Sequence, residues 1–402
     1  MMLRIKDYTT KVGSGVTPRG GAETYLDEGI PLFRSQNVTN DGFLMDDIAF
    51  ISEEVDESMK GTRVKPGDVL LNITGASIGR CFYTSDDFER GNVNQHVCII
   101  RPKKNKVKPD YLHYCIISDK GQQQIDLTQT GANREGLAVE DIKGFMFDIP
   151  SLPVQQRIVD YLNKTLTKID ERIEVLEKQK DAYVRLKKSI IHQAVTRGLK
   201  PNVSLKDSGI EWIGMIPEHW EVKRIKDLCS FVSRGSTPDY VDESDFPVMN
   251  QAVFSSGRIN HEVVRYSSYM KPESKIEKGD LLIASTGGGI LGKLYFFNIE
   301  DEQFYADTHV TIVRSPKKTF CVKFLYYLLS IGYNMINSCM AKGSTNQTEL
   351  QRDKLIAYEI AIPSIEEQTR IIDYLDEKCT KIDAAIENIG KQIDASKRLV
   401  RA

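Results

Sequence analysis

An internal repeat constrains this chain more than any other feature of its 402 residues. A segment that begins at Ile149 and ends at Asp170 recurs, without a gap, between Ile362 and Asp383. The matched residues include Ile149-Pro150-Ser151 with Ile362-Pro363-Ser364, Gln155 with Gln368, Arg157 with Arg370, Ile158 with Ile371, Asp160-Tyr161-Leu162 with Asp373-Tyr374-Leu375, and Thr167-Lys168-Ile169-Asp170 with Thr380-Lys381-Ile382-Asp383. Weaker matches precede them, such as Thr17-Pro18 with Thr237-Pro238 and Gly67-Asp68 with Gly279-Asp280. Each half is therefore a diverged unit followed by a closely matched segment.

The matched segments have the apolar spacing of helices that pack along a narrow seam. The first seam is Leu162, Leu166, Ile169, Ile173 and Leu176, and the second is Leu375, Cys379, Ile382, Ile386, Ile389 and Ile393. Pro153 suits a first helical turn, and Gly198 and Pro201 end the first helix. A long helix with one apolar seam cannot bury that seam by itself, so we expect the two helices to pack on each other, antiparallel.

The diverged units have a mixed α/β pattern. Short apolar runs such as Val69–Ile73 and Val97–Ile100 predict buried strands, whereas residues 111–117 and 322–329 predict short helices. The predicted fold is α+β, with two globular α/β domains separated by two long helices packed as an antiparallel coiled coil, in a pseudo-twofold internal repeat. The expected boundaries are domain 1 at 1–150, scaffold helix 1 at 151–200, a linker at 201–222, domain 2 at 223–362 and scaffold helix 2 at 363–402.

Composition narrows the class of protein without deciding the function. The formal net charge of −2 neither supports nor excludes binding to nucleic acid, because phosphate contacts need a local basic surface and not a basic total. Seven cysteines occur singly, with no Cys-x-x-Cys pair, which argues against a disulfide framework and a zinc ribbon. There is no apolar run of membrane-spanning length and no signal-peptide core, so we expect a cytoplasmic protein without membrane contact.

Catalytic and metal-binding motifs are weak. Residues 287–293 have the spacing of a phosphate-binding loop, but Leu294 stands where that motif requires Ser or Thr. Asp239, Glu273 and Lys275 loosely resemble a nuclease pattern, but the first unit has Arg19 where the second has Asp239. No two histidines have metal-ligand spacing. We therefore expect no catalytic residues, no metal and no cofactor in this chain.

At this point the sequence resembles the specificity subunits of type I restriction–modification systems. Residues 208–222, Ser-Gly-Ile-Glu-Trp-Ile-Gly-Met-Ile-Pro-Glu-His-Trp-Glu-Val, resemble the entry into a target recognition domain of that family. The pattern Ile-Pro-x-x-x-x-Gln-x-Arg-Ile-x-x-Tyr-Leu, with Lys-Ile-Asp further on, resembles the start of its conserved helices. The resemblance covers essentially the whole chain, although the first unit lacks a counterpart of the Trp212–Trp220 run and the second helix lacks one of residues 190–198.

The resemblance implies a function in sequence recognition. Residues 1–150 and 223–362 would be two target recognition domains, each gripping half of a bipartite, asymmetric site in double-stranded DNA, and the helices would set the unread spacer. Two modification subunits, which carry S-adenosylmethionine and methylate adenine N6, would dock on this chain. Restriction subunits, which use ATP, would join them.

Candidates for DNA contact are polar loop residues at matching positions in the two units, because Arg, Lys, Asn and Gln read base edges in the major groove. In the first unit they are Thr17, Arg19, Arg34, Gln36, Asn37, Arg80, Asn94, Gln95, Asn133 and Arg134. In the second they are Arg234, Thr237, Asn250, Gln251, Lys293, Thr308, His309, Ser344, Thr345, Asn346 and Gln347.

Two other classes of function stay open at this point. A standalone nuclease–methyltransferase is disfavoured because its motifs are missing. A coiled-coil adaptor that binds only protein is disfavoured because the loops of both units are polar.

Overall fold

Two strands in each half of the chain are mostly apolar, and in the computed structural model these strands form the centre of a sheet that is buried on both faces. The structure describes residues 2–129, 136–287, 289–315, 320–332, 336–343 and 348–401. It divides into unit 1, Met1–Leu176 with Gln392–Ala402, and unit 2, Glu177–Lys391. Both long helices therefore contribute residues to both units.

Unit 1 contains nine strands and five short helices among its described residues, followed by the start of a long helix. The strands are Met2–Arg4 (β1), Thr9–Ser14 (β2), Ile30–Phe33 (β3), Ala49–Ile51 (β4), Val69–Asn72 (β5), Cys81–Tyr83 (β6), Asn92–Val93 (β7), Val97–Pro102 (β8) and Met146–Asp148 (β9). The helices are Ile5–Tyr8 (α1), Glu53–Ser58 (α2), Pro109–Ile117 (α3), Asp119–Thr128 (α4), Val139–Gly144 (α5) and the long Leu152–Arg197 (α6).

Unit 2 follows the same order after an additional hairpin. Its strands are Leu205–Asp207 (β10), Met215–Pro217 (β11), Glu221–Arg224 (β12), Phe231–Arg234 (β13), Tyr240–Val241 (β14), Pro247–Met249 (β15), Arg265–Ser267 (β16), Leu281–Ala284 (β17), Leu294–Phe296 (β18), Tyr305–Ala306 (β19), Val310–Arg314 (β20), Ala341–Lys342 (β21), Glu349–Leu350 (β22) and Glu359–Ile362 (β23). The helices are Ile225–Leu228 (α7), Gln251–Phe254 (α8), Val322–Ile331 (α9), Arg352–Ala357 (α10) and the long Ile365–Arg401 (α11).

The two units share most of their sheet topology, and unit 2 has in addition strand β14 beside β16 and the pair β21-β22. The four-stranded antiparallel sheet β2-β8-β5-β6 of unit 1 corresponds to β13-β20-β17-β18 of unit 2. The three strands β4-β3-β7 correspond to β16-β15-β19, and in both sets the last pair is parallel. The pair β1-β9 corresponds to β12-β23. The predicted internal repeat is thus present in the fold as well as in the sequence.

The central strands carry apolar residues on both faces because alternate side chains enter two different cores. In β5, Leu71 faces a core that includes Tyr8, Leu112 and Ile142, whereas Leu70 belongs to the cluster of Phe33 on the other face. Strand β17 repeats this division, with Leu281 and Leu282 in two different clusters. A strand that is covered on both faces has apolar side chains on both, and its sequence is therefore a continuous apolar run. Such runs are the basis for predicting buried strands from the sequence.

The long helices run antiparallel within unit 2. Gly198 follows the end of α6 and lies beside Glu367 near the start of α11, since a Cβ atom on Gly198 would be 3.0 Å from the Glu367 carboxylate. Eleven residues back along α6, Lys187 Nζ lies 2.7 Å from Asp383 Oδ1. The predicted second seam is buried at Leu375, Cys379, Ile382, Ile389 and Ile393 and half-buried at Ile386, and the first is buried at Leu176 and half-buried at Leu162, Leu166, Ile169 and Ile173.

The predicted linker at 201–222 is a folded part of unit 2. It contains the antiparallel hairpin of β10 and β11, in which Lys206 pairs with Ile216. Trp220 is fully buried with its ring edge-on to Phe324, and Trp212 stacks on Tyr358. Burial of these large side chains stabilises the hairpin against the unit, so the segment is not an extended connection.

Candidate nucleic-acid interface

In unit 1, four chain segments meet at the end of the four-stranded sheet. Gly15, just after β2, donates its N–H to the Val97 carbonyl at 2.9 Å. Ile73, just after β5, donates to His96 at 3.0 Å and accepts from Leu137 at 2.8 Å. The loops after β2 and β5, the loop before β8 and the segment at Leu137 therefore form one surface.

Unit 2 builds the same surface with the same backbone contacts. Gly235 donates to Val310 at 3.1 Å, Ser285 donates to His309 at 2.8 Å, and Leu350 donates to Ser285 at 2.9 Å. We call these two surfaces the loop edges of units 1 and 2.

Gly15 and Gly235 are required by close packing of these loops. A Cβ atom on Gly15 would lie 2.1 Å from the Val93 carbonyl oxygen, and one on Gly235 would lie 1.8 Å from that of Ala306. Both distances are far below van der Waals contact with rigid backbone. No other residue fits there without a shift of the backbone, so these glycines hold Thr17 and Thr237 beside the loops that carry His96 and His309.

Each loop edge contains a threonine–histidine hydrogen bond. Thr74 Oγ1 lies 2.6 Å from His96 Nδ1, and Thr286 Oγ1 lies 2.7 Å from His309 Nδ1. The residue two positions before each histidine accepts its backbone N–H: Asn94 Oδ1 at 3.1 Å and Asp307 Oδ1 at 2.9 Å. Burial raises the pKa of the Asp307 carboxyl, while the His309 N–H opposes that shift.

In unit 1 this contact extends across the surface through Gln95. Thr17 Oγ1 donates to Gln95 Oε1, and Gln95 Nε2 lies 2.9 Å from His96 Nε2. The structure thus brings three predicted or matched residues, Thr17, Gln95 and His96, into one chain of contacts. Unit 2 has Thr308 at the position of Gln95, so the same edge carries a shorter side chain there.

A cavity of about 420 Å³ lies at the loop edge of unit 2. It is lined by Arg234, Thr237 and Thr308, three of the predicted residues, together with Tyr269 and Lys271. Arg234 donates to the Leu350 carbonyl at 3.1 Å and pairs with Glu349 at 3.5 Å. Tyr269 and Lys271 were not among the predicted residues, although a Met-Lys pair precedes the matched Gly-Asp in both units, at Met59-Lys60 and Met270-Lys271.

Three predicted asparagines make hydrogen bonds that hold the loops in place, and for the buried Asn37 and Asn94 this corrects the expected role. Asn37 is 1% exposed, and its Nδ2 donates to the carbonyls of Leu44 and Asp47, both at 3.0 Å. Asn94 is 7% exposed and orients His96, and Asn250 caps α8 by accepting the N–H of Ala252 at 2.9 Å. The buried Asn37 and Asn94 do not reach a base edge while the loops keep this conformation, whereas the partly exposed Asn250 has its amide oxygen engaged by the helix cap.

Of the other predicted residues, some make hydrogen bonds within the unit and others are exposed. Arg34 Nη2 donates to the Asp47 carbonyl at 2.6 Å, and Gln36 donates to the Asp47 carboxylate. Arg19 and Arg80 are exposed, and Lys293 is half-exposed. Arg80 and Lys293 each follow a glycine with positive φ, Gly79 at 86° and Gly292 at 81°, so both lie at matching hairpin turns.

Gln251 carries a buried polar atom without a partner. No described residue pairs with its Oε1, and its Nε2 lies 3.6 Å from where a Cβ on Gly287 would stand. The amide therefore lies close to the glycine turn of the loop edge.

Six predicted residues lie outside the described residues: Asn133, Arg134, Ser344, Thr345, Asn346 and Gln347. The chain re-enters the described part beside the loop edges, where Gly136 pairs with Thr74 and Glu349 with Thr286. Within the described ranges there is no group of three His, Cys, Asp or Glu side chains that could hold a metal ion. The helices of those ranges include none long and apolar enough to span a membrane.

These features define a class of protein: two units of one fold, each with the same polar loop edge, joined to long helices of matched sequence. The sequence profile of the type I restriction modification DNA specificity domain matches this chain twice, at residues 2–182 and at 217–394. The chain belongs to this family.

Individual relatives agree with this assignment. The putative type I restriction enzyme MjaX specificity subunit of Methanocaldococcus jannaschii is 23% identical, over 97% of this chain and 90% of that protein. The EcoKI specificity subunit of Escherichia coli K12 is 20% identical, over 97% of this chain and 83% of that protein.

Two solved structures share the fold. One, from work on complex assembly and conformational transition of the type I R-M system, has a TM-score of 0.77 at 16% identity and covers 100% of this chain and 95% of its own. The HsdS subunit from Thermoanaerobacter tengcongensis has a TM-score of 0.63 at 16% identity, covering 100% and 94%.

Proposed function

We propose that this chain is the DNA-recognition subunit of a type I methyltransferase complex and that each unit reads one half of a two-part site. The observation that carries the proposal is the duplicated loop edge. The backbone that builds the edge is the same in both units, whereas the side chains on it differ, as with Gln95 and Thr308. A shared backbone that carries different side chains in the two units would allow each unit to read a different half-site.

The residues that we propose for DNA contact are the exposed or partly exposed polar residues of the loop edges. They are Thr17, Arg19, Arg80, Gln95, Arg234, Thr237, Gln251, Lys293, Thr308 and His309. Arg34 and Gln36 would first have to release Asp47, so we rank them below this group.

Two copies of one partner would dock on the matched helices. Several residues that match between the helices are exposed, including Arg157 with Arg370 and Asp160 with Asp373. Tyr161 is 70% exposed, whereas its match Tyr374 is partly buried against the core of unit 2, so the tyrosines do not contribute to this argument. Packing within the chain does not explain such matches, whereas two equivalent docking surfaces for a modification subunit do.

The chemistry would belong to the partners. In this proposal S-adenosylmethionine binds to the modification subunit, ATP binds to a restriction subunit, and this chain contributes no catalytic group. The complex would act in the cytoplasm, where the DNA is.

The test is an adenine-methylation map of methylation-free cells that co-express this chain with its cognate modification subunit. We expect a two-part motif with a fixed unread gap, absent when this chain is omitted. Replacing residues 1–150 with the corresponding domain of a relative should change one half of the motif. A stable complex without methylation would contradict the proposal and favour an adaptor that binds only protein, and a change in both halves would contradict the assignment of one unit to one half-site.

A further inference from the structure

The threonine–histidine pair is unusual because it is the same in both units although the residues around it differ. Thr74 and His96 have the same hydrogen bond as Thr286 and His309, with distances of 2.6 and 2.7 Å. The neighbouring positions have diverged, with Gln95 against Thr308 and Arg19 against Asp239. Neither histidine packs in a hydrophobic core, since His96 is half-exposed and His309 is exposed.

The pair is held rigidly on the surface. Threonine fixes the Nδ1 side of each ring, and Asn94 or Asp307 fixes the backbone of the loop. In unit 2 the Nε2 nitrogen of His309, on the opposite edge of the ring, is left for an external group. In unit 1 the exposed amide of Gln95 lies 2.9 Å from His96 Nε2, so Gln95 must turn away before that nitrogen contacts an external group.

A residue that is identical in two units with different half-sites cannot account for the difference between those half-sites. The feature that two unlike half-sites share is the sugar–phosphate backbone, and side-chain contacts to it fix the register of a protein on the duplex. We propose that His96 and His309, each positioned by its threonine, contact a phosphate at the equivalent place in the two half-sites. This inference rests on the proposed function: the histidines would set register, and the diverged residues beside them would read bases.

The test uses the complete complex with its modification subunits and a duplex that carries the mapped motif. H96A and H309A should each weaken binding roughly tenfold, as expected for loss of a hydrogen bond to a charged group. The same factor should apply to the cognate duplex and to one with scrambled half-sites, and the methylation motif should stay unchanged. T74V and T286V should have smaller effects of the same kind.

Methylphosphonate substitution identifies the contact directly. Neutralising the contacted phosphate in either half-site should weaken binding by the wild-type complex. In the half-site that unit 2 contacts, the same substitution should not lower the affinity of H309A any further. The matched control is H261A, because His261 is also an exposed histidine of unit 2 but lies away from the loop edge; its affinity should equal that of the wild type.

Two outcomes would overturn the inference. If H309A changes the motif in one half-site, the histidine reads a base. If both alanine variants bind like the wild type, the pair only supports the loop. Failure of the proposed function would look different, because the wild-type complex itself would then not prefer the mapped duplex.

Discussion

An ion pair between a buried aspartate and a partly exposed arginine recurs at the start of a central strand in each unit. Asp68 is fully buried, and its two carboxylate oxygens each accept a 2.7 Å hydrogen bond from Arg101. Asp280 and Arg314 repeat the arrangement with the same distances. The sequence shows the aspartate only as an acid before a strand, and its arginine partner lies more than thirty residues away, so the pair could not be predicted from local pattern.

We expect D280A to lower the free energy of unfolding of unit 2 by roughly 2 kcal/mol, because the partly exposed Arg314 keeps its ion pair to Glu277 but loses two hydrogen bonds, and the Glu277 N–H loses its acceptor. Fluorescence of Trp212 and Trp220 during urea unfolding reports on this unit, since both tryptophans lie within it. The control is E377A, which removes an exposed ion pair to Lys381 and should cost less than about 1 kcal/mol. Equal losses in the two variants would contradict this account.

His113 makes unit 1 sensitive to acid. The ring is 3% exposed among Phe82 and Tyr83, and burial lowers its pKa to about 4. In the unfolded state His113 is protonated as pH falls below about 6.5, whereas in the folded state it stays neutral. The free energy of unfolding therefore decreases until pH falls below the folded-state pKa of His113. Between pH 7.5 and pH 5 we expect a loss of about 2 kcal/mol from this residue.

The comparison that isolates this effect is H113Y, because the second unit has Tyr326 at the equivalent position. Hydrogen exchange of residues 97–117 should accelerate less in H113Y than in the wild type between these pH values. The same pH dependence in both proteins would exclude His113 as the cause.

At the scale of single elements, sequence periodicity predicted the helices and strands whose apolar residues are set by which of their faces are buried. The seams of α6 and α11 and the apolar strands β5 and β17 follow directly from which faces are covered. The hairpin of β10 and β11 was missed, because its glycines and prolines also suit a linker and its stability comes from Trp220 packing on a distant helix. Asn37 and Asn94 were assigned to DNA for a related reason: sequence shows the amide but not the carbonyls and N–H groups around it.

The seam of α11 provides a prediction for this scale. Leu375 is fully buried in the core that α11 shares with the rest of unit 2, so L375A should destabilise the unit by about 2–5 kcal/mol. Tryptophan fluorescence during urea unfolding measures the loss. A change below 1 kcal/mol would mean that the seam does not hold the helix, and K381A, at an exposed matched position, is the control with little expected effect.

At the scale of the whole molecule, α6 and α11 both run from one unit into the other without interruption. Insertion of seven residues after Lys178 and after Lys391 would preserve each seam and lengthen both helices by about 10 Å. If the helices determine the unread gap, the methylation motif should gain about three base pairs between its halves. A single-helix insertion is the control, because it offsets the seams and should impair folding. An unchanged gap in a folded double insertion would contradict the spacer role.

The buried glutamines Gln155 and Gln368 have a consequence for how such chains change over time. The side-chain hydrogen bonds of Gln155 are made to main-chain atoms of unit 1: it accepts from the Lys108 N–H at 2.9 Å and donates to the carbonyls of Lys106 and Pro150 at 2.9 and 2.8 Å. Gln368 likewise accepts from the Cys321 N–H at 2.9 Å and donates to the Pro363 carbonyl at 3.0 Å. Hydrogen bonds to main-chain atoms form whatever the side chains of the domain that precedes the helix. Genetic exchange with breakpoints near Ile149 or Ile362 would therefore join a domain from another protein to the helix and keep these hydrogen bonds. A host lineage could then acquire a new DNA target in one recombination event.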